Sequence, residues 1–137
     1  MANDFKVSID VACSADEAWK KIGNPADVGW FPPVVAAEVR DGVRYASMVD
    51  GRNLVEKIVT HDDTARAYSY SVVEGTSAKL NSHLATLSVE EAGDGSRIVW
   101  HTVAEPEDSS VDLEGYLAKP MMKGLENLKS LLEVDGE

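Results

Sequence analysis

The chain of 137 residues holds a single cysteine, Cys13, so no disulfide can close within it. Cations are scarce as well: 13 Lys and Arg face 24 Asp and Glu, a formal net charge of −11. That balance argues against nucleic acid and against anionic membrane surfaces as partners, because both call for clustered Lys and Arg. No run of about 18 apolar residues occurs, so no membrane insertion is expected. The N-terminus lacks the basic-then-apolar layout of a secretory signal, and a cytoplasmic location is the expectation. Also missing are a Gly-rich phosphate loop, a nucleophile elbow and any Ser–His–Asp or Cys–His arrangement. His61, His83 and His101 fall on separate segments with no metal-ligand spacing. The sequence therefore implies no metal and no cofactor. Monomer and homodimer both stay open.

What the chain does have is enough apolar residues, 44%, to bury the core of one domain spanning 1–137. Phe5–Val11 alternates apolar and polar residues with period two, the pattern of a strand with one wet face. Ser14-Ala-Asp-Glu17 matches a capping box, and a short helix carrying Ala18, Trp19 and Ile22 follows, ended by Gly23. Asn24-Pro25-Ala26-Asp27 starts a second short helix with proline at its permitted first position, and Trp30-Phe31-Pro32-Pro33 breaks it.

Six strand patterns come next: Val34–Arg40, Val43–Val49, Asn53–His61, Ala65–Val73, His83–Glu90 and Ser96–Ala104. Short turns such as Asp41-Gly42, Asp50-Gly51 and Gly93-Asp94-Gly95 make neighbours antiparallel. A long amphipathic helix, Val111 to Val134, closes the chain, with Leu113, Leu117, Met121, Leu125, Leu128 and Leu132 in one stripe. Pro120 should kink or interrupt it near Ala118. The expected fold is α+β: a curved antiparallel seven-stranded sheet wrapped around the C-terminal helix, with two short helices between the first two strands. Three helices cannot fill so large a curved sheet, and an internal pocket of roughly 300–1,000 Å³ is expected beside the long one.

Arg44 and Glu56 are ionisable groups among mostly apolar neighbours in adjacent strands, and a charge on an inner face needs a partner or a use. A three-residue turn through Asp50-Gly51-Arg52 places them on one face, offset diagonally. A two-residue Asp-Gly turn sets Tyr45 opposite Glu56 and Arg44 opposite Lys57. If they meet inside, the arginine holds the carboxylate and positions an anionic oxygen, while the glutamate takes and returns a proton. The competing reading is a structural ion pair without chemistry.

His83 shares a face with Ala85, Leu87 and Val89 and so points inward, either as a proton shuttle or ligand donor or as a core histidine. His61, beside Asp62 and Asp63, reads as a solvated turn residue, and His101 as outward-facing. Trp30, Tyr45, Met48, Tyr68, Tyr70, Trp100, Met121 and Met122 are the apolar or amphipathic groups available to line a cavity.

The order of elements, with Ser14-Ala-Asp-Glu-Ala-Trp19, Trp30-Phe31-Pro32, Tyr68-Ser-Tyr-Ser-Val-Val-Glu-Gly75 and Gly93-Asp-Gly-Ser-Arg-Ile-Val-Trp100, resembles the START-like or helix-grip superfamily. Within it the chain is similar to the polyketide cyclase/dehydrase and lipid-transport family. Val43-Arg44-Tyr45, Glu56-Lys57-Ile58-Val59 and Ser69-Tyr70-Ser71-Val72-Val73-Glu74 resemble the plant lachrymatory-factor synthases and their bacterial relatives. That resemblance implies Arg44 and Glu56 as a catalytic pair handling protons on a small molecule. The sequence departs from the pattern at His83, where the family has a pocket tyrosine, and at Thr76, where proline is common. The implied function is binding of a small hydrophobic organic molecule with cofactor-independent acid/base chemistry of cyclase, dehydratase, isomerase or lyase type, using Arg44, Glu56 and His83. The alternative is a non-catalytic carrier of an apolar ligand or lipid. A regulatory module contacting another protein has no positive support in the sequence.

Overall fold

The computed structural model describes residues 3–76 and 79–135 and begins with β1 (Asn3–Val11), where Phe5 and Val11 are buried while Lys6, Ser8 and Asp10 face water. Helix α1 (Ala15–Ile22) follows, its Ala15, Ala18, Trp19 and Ile22 buried. The capping box is half made. Ser14 Oγ accepts from Glu17 N–H at 3.2 Å, but Glu17 Oε1 accepts from Lys20 Nζ at 3.1 Å instead of reaching back.

The expected second short helix does not form. Residues 24–33 run as successive tight turns, with Asp27 N–H donating to Asn24 O, Phe31 N–H to Val28 O and Val34 N–H to Phe31 O. One competing bond contributes: the Pro25 carbonyl is taken at 3.0 Å by Arg44 Nη1 rather than by a later backbone N–H. The Asn24 side chain still accepts from Ala26 N–H at 3.1 Å, as an N-cap would.

β2 (Val34–Arg40), β3 (Val43–Met48), β4 (Asn53–Asp62), β5 (Ala67–Glu74), β6 (Leu80–Ala92) and β7 (Gly95–Pro106) then form, with β1, one antiparallel sheet of order β1-β7-β6-β5-β4-β3-β2. Two irregularities in the β4–β5 ladder bend it. Glu56 pairs with Val72 while Val55 pairs with Glu74, leaving Val73 over; Ile58 pairs with Tyr70 while Thr60 pairs with Ser69, leaving Val59 over. Both extra valines are exposed. The second bulge carries His61, at the end of β4 and not in a turn as expected, onto the inner side, where its ring lies 6.1 Å from that of Tyr68.

Helix α2 (Leu113–Asp135) lies across the concave face of the sheet, with Leu125, Leu128 and Leu132 buried. Asp112 caps it, Oδ1 accepting from Gly115 N–H at 3.0 Å. The helix runs uninterrupted through Pro120; the proline costs one bond, that to the carbonyl of Tyr116, an exposed residue where water can replace it. At Gly124 the helix comes so close to the 30–31 segment that a Cβ there would lie 3.0 Å from Phe31 Cδ1 and 3.1 Å from Trp30 Cζ3. Asn127 Nδ2 donates to the Trp30 carbonyl at 3.1 Å and ties the two together. α2 packs on β1 and β7, at one side of the sheet. Neither helix packs closely on β3 to β5: α1 meets β6 and β7, and the Leu113–Met121 part of α2 stands across a cavity from those strands.

Candidate functional site

The turn between β3 and β4 sets the site. Its loop is Val49-Asp50-Gly51, with Met48 N–H donating to Arg52 O at 2.9 Å and Gly51 in the left-handed region at φ 90°. Both registers expected from the sequence are therefore corrected. The loop has three residues but starts one position earlier than Asp50, so Arg44 pairs directly with Glu56 and Tyr45 with Val55. Arg44 and Glu56 face inward, 3% and 5% exposed; Tyr45 points out, under the Arg40 guanidinium at 4.5 Å from the ring centre.

Arg44 directs Nε and Nη1 to the protein. Nε–H donates to Glu56 Oε1 at 2.8 Å, and Nη1 donates to Pro25 O at 3.0 Å and to Tyr68 OH at 3.1 Å. Its guanidinium carbon lies 4.5 Å from the centre of the Tyr70 ring. Burial opposes its charge, but the Glu56 carboxylate and the two tyrosines outweigh that and hold the pKa above the ordinary arginine value.

The cavity has a volume of about 460 Å³. Its wall is mostly apolar, with Met48, Leu54, Val72, Trp100, Leu117 and Met121 among the contributors. Glu56, Tyr70 and His83 are the polar groups of its interior that bear on chemistry. Glu56 Oε1 is committed to Arg44, whereas Oε2 takes no partner among the described residues. Tyr70 OH accepts from Trp100 Nε1–H at 3.1 Å, which leaves its own proton to donate. Burial and the Glu56 charge push the Tyr70 pKa far up, so the phenol stays protonated.

His83 Nδ1 accepts from Val72 N–H at 3.1 Å, an arrangement that fixes the tautomer with the proton on Nε2. Burial lowers its pKa to about 4, so the ring is neutral near pH 7. Nε2–H takes no partner among the described residues. The cavity thus presents one carboxylate oxygen and two neutral donors.

The sequence reading placed more residues here than the structure does. Glu56, His83, Met48, Tyr70, Trp100 and Met121 line the cavity. Arg44 and Tyr68 are joined by their own hydrogen bond and are not among the residues that line the cavity. Tyr45 is on the convex face because the register turns it there. Trp30 stands edge-on to Trp100 at 5.4 Å and donates from Nε1 to Asp27 O, while Met122 packs against the core.

Phe31, Arg52, Leu54 and Thr102 were missed although all four line the cavity. Three of them had a signal: Arg52 and Leu54 alternate with Glu56, and Thr102 follows Trp100 by two, so each shares an inner face. Among the described residues no group of three His, Cys, Asp or Glu side chains is placed to hold a metal ion. No helix among them is long and apolar enough to cross a membrane.

A seven-stranded antiparallel sheet gripping a C-terminal helix, with a mostly apolar cavity between them, defines a helix-grip protein of the START-like superfamily. More narrowly, the chain belongs to the polyketide cyclase/dehydrase and lipid-transport family, whose model matches residues 3–133. No curated protein matches the sequence significantly. Among solved structures, the protein XoxI of Bacillus cereus is similar at TM-score 0.86 and 21% identity, over 94% of each chain. Norcoclaurine synthase of Thalictrum flavum, a point mutant in complex with a transition-state analogue, is similar at TM-score 0.80 and 18% identity, over 100% of this chain and 98% of that one. The major latex-like protein 151 of Panax ginseng is similar at TM-score 0.80 and 15% identity, over 95% and 97%. At these identities the likeness concerns the fold. The family's description joins cyclases and dehydrases with lipid transport, so both enzymes and carriers of apolar molecules belong to it.

Proposed function

We propose that this protein binds a small hydrophobic organic molecule in the cavity and moves a proton on it by acid/base chemistry that this chain's own side chains supply. The observation that carries this reading is the Glu56 carboxylate at the cavity wall: one oxygen fixed by Arg44, the other without a partner among the described residues. Glu56 Oε2 is the base that takes a proton from a carbon or hydroxyl of the substrate and returns it elsewhere. Tyr70 OH and His83 Nε2–H donate to the oxygen on which negative charge develops, an oxyanion pair built from neutral groups. Arg44 is a positioning residue. It aims the carboxylate and balances its charge without touching substrate.

A proton removed and returned at a different atom is the common step of isomerisation, aldol-type cyclisation and dehydration, and the geometry suits that class. The resemblance to the lachrymatory-factor synthases supports Glu56 as a proton-handling group beside Arg44, with His83 in the place of a pocket tyrosine. The carrier reading draws on the mostly apolar wall.

Deuterium exchange separates the two. In deuterated water the protein should speed exchange of the α-protons of small enolisable ketones such as 2-tetralone, followed by proton NMR. Binding of those ketones without any exchange above the buffer rate would favour the carrier and end the enzyme reading.

A further inference from the structure

We infer that the ligand is an amphipathic carboxylate: an apolar body that reaches Glu56, with its carboxylate held by Arg52 at the cavity mouth. This deepens the acid/base reading of the same cavity by naming the substrate class.

Arg52, just ahead of β4, alternates with Leu54 and Glu56 within it, and all three line the cavity. Glu56 follows Arg52 by four positions, so their Cα atoms lie roughly 13 Å apart at about 3.3 Å per residue. Arg52 is braced rather than loose. Nε donates to Asp50 Oδ2 at 2.7 Å and Nη1 to the Gly75 carbonyl at 3.1 Å, while Nη2 takes no partner among the described residues. Its side chain is 37% exposed yet still lines the cavity, which puts it at the entrance. Asp50 engages the Nε side and is not part of the cavity wall, so the free edge of the guanidinium remains for a ligand.

Gly75 contributes to the brace. Its φ of +98° and the closeness of the Asn53 carbonyl to where a Cβ would stand leave room only for glycine, and its own carbonyl is thereby aimed at Arg52.

The two ends of the cavity differ in sign. Each charge has a partner, Arg44 for Glu56 and Asp50 for Arg52, but what is left over differs: a carboxylate oxygen at the buried end, and cationic N–H donors at the mouth that suit a carboxylate. An acid therefore enters apolar end first, which carries the reacting part of the molecule to Glu56, Tyr70 and His83. A neutral ligand of equal length gains nothing from Arg52.

The test is isothermal titration with decanoate and with 1-decanol, at pH 7.5 and low salt, on the wild type, Arg52→Gln and Glu56→Gln. The wild type should bind decanoate at least about tenfold more tightly than decanol, the size of a charge-assisted hydrogen bond. Arg52→Gln should abolish that preference and leave decanol affinity unchanged; Glu56→Gln should keep it. No preference in the wild type overturns the inference. So does an equal loss of both ligands in Arg52→Gln, which would make Arg52 only a strap between two turns. A preference that responds to Glu56→Gln rather than Arg52→Gln would place the carboxylate at the wrong end and also overturn it. Neither probe needs to react, so failure of the exchange experiment with ketones would sink the chemistry and leave this result standing.

Discussion

Arg44 and Glu56 stand directly opposite each other in the β3–β4 ladder, and their side chains meet through a hydrogen bond of 2.8 Å from Nε to Oε1. The pair is buried, and its arginine also serves the Pro25 carbonyl and the Tyr68 hydroxyl. One guanidinium thus holds the carboxylate, the turn before β2 and the tyrosine.

Removing that guanidinium should cost more than an ion pair. Arg44→Met leaves the Glu56 carboxylate buried without its partner and strips a donor from two further groups. A loss of about 3–5 kcal/mol is expected from urea unfolding. Adding Glu56→Gln to Arg44→Met should restore part of that stability, because the uncompensated charge is gone. A double variant no more stable than the single one would show that the loss comes from Pro25 and Tyr68 instead.

The His83 ring gives the protein a pH signature. Its folded pKa of about 4 lies below the ordinary 6.5, so between those values the unfolded chain binds a proton that the folded one refuses. Stability from this group is complete above about pH 6.5 and is lost as pH falls toward 4, by about 3 kcal/mol at most and less where the cavity admits water. Urea midpoints from pH 7.5 down to 5 should fall in the wild type and stay flatter in His83→Gln. Parallel curves would mean that the ring is not held neutral.

Tyr70 has a structural bond and a free proton, and one substitution separates them. Tyr70→Phe leaves Trp100 Nε1–H without its acceptor and should destabilise by about 1–3 kcal/mol. It also removes one donor from the developing oxyanion. Ketone exchange per bound ligand should drop on the order of tenfold to a hundredfold. A variant that is less stable but exchanges at the wild-type rate would confine Tyr70 to the wall.

Most of the architecture was legible because it rests on local periodicity. The alternation of Phe5 to Val11 and the Leu113–Leu132 stripe report which face is buried, and burial is what decides those elements. The site was legible only in part. Two charges in apolar strands raised Arg44 and Glu56 as a pair, but whether they share a face depends on which residues form the loop, and Val49-Asp50-Gly51 differs from the alternatives by a single step. The second helix lost a bond to a long-range partner: the Pro25 carbonyl, which Gly29 N–H would have met in a helix, is claimed by Arg44, 19 residues away. His61 faces inward because of the extra residue Val59, and bulges leave no mark in a period-two pattern. Local signals say which residues are inside; they do not say which of them meet.

The central claim is that Glu56 Oε2 is a base in a cavity that also binds the substrate. The most direct measurement is ketone deuterium exchange by Glu56→Gln, with 2-tetralone affinity titrated on the same preparation. Glutamine keeps the volume and removes the site for the proton. Exchange per bound ligand should fall about 10²–10⁴-fold, the range for a general acid or base, while the affinity changes far less. Exchange at the wild-type rate in Glu56→Gln, with the ligand bound as before, would contradict the assignment outright.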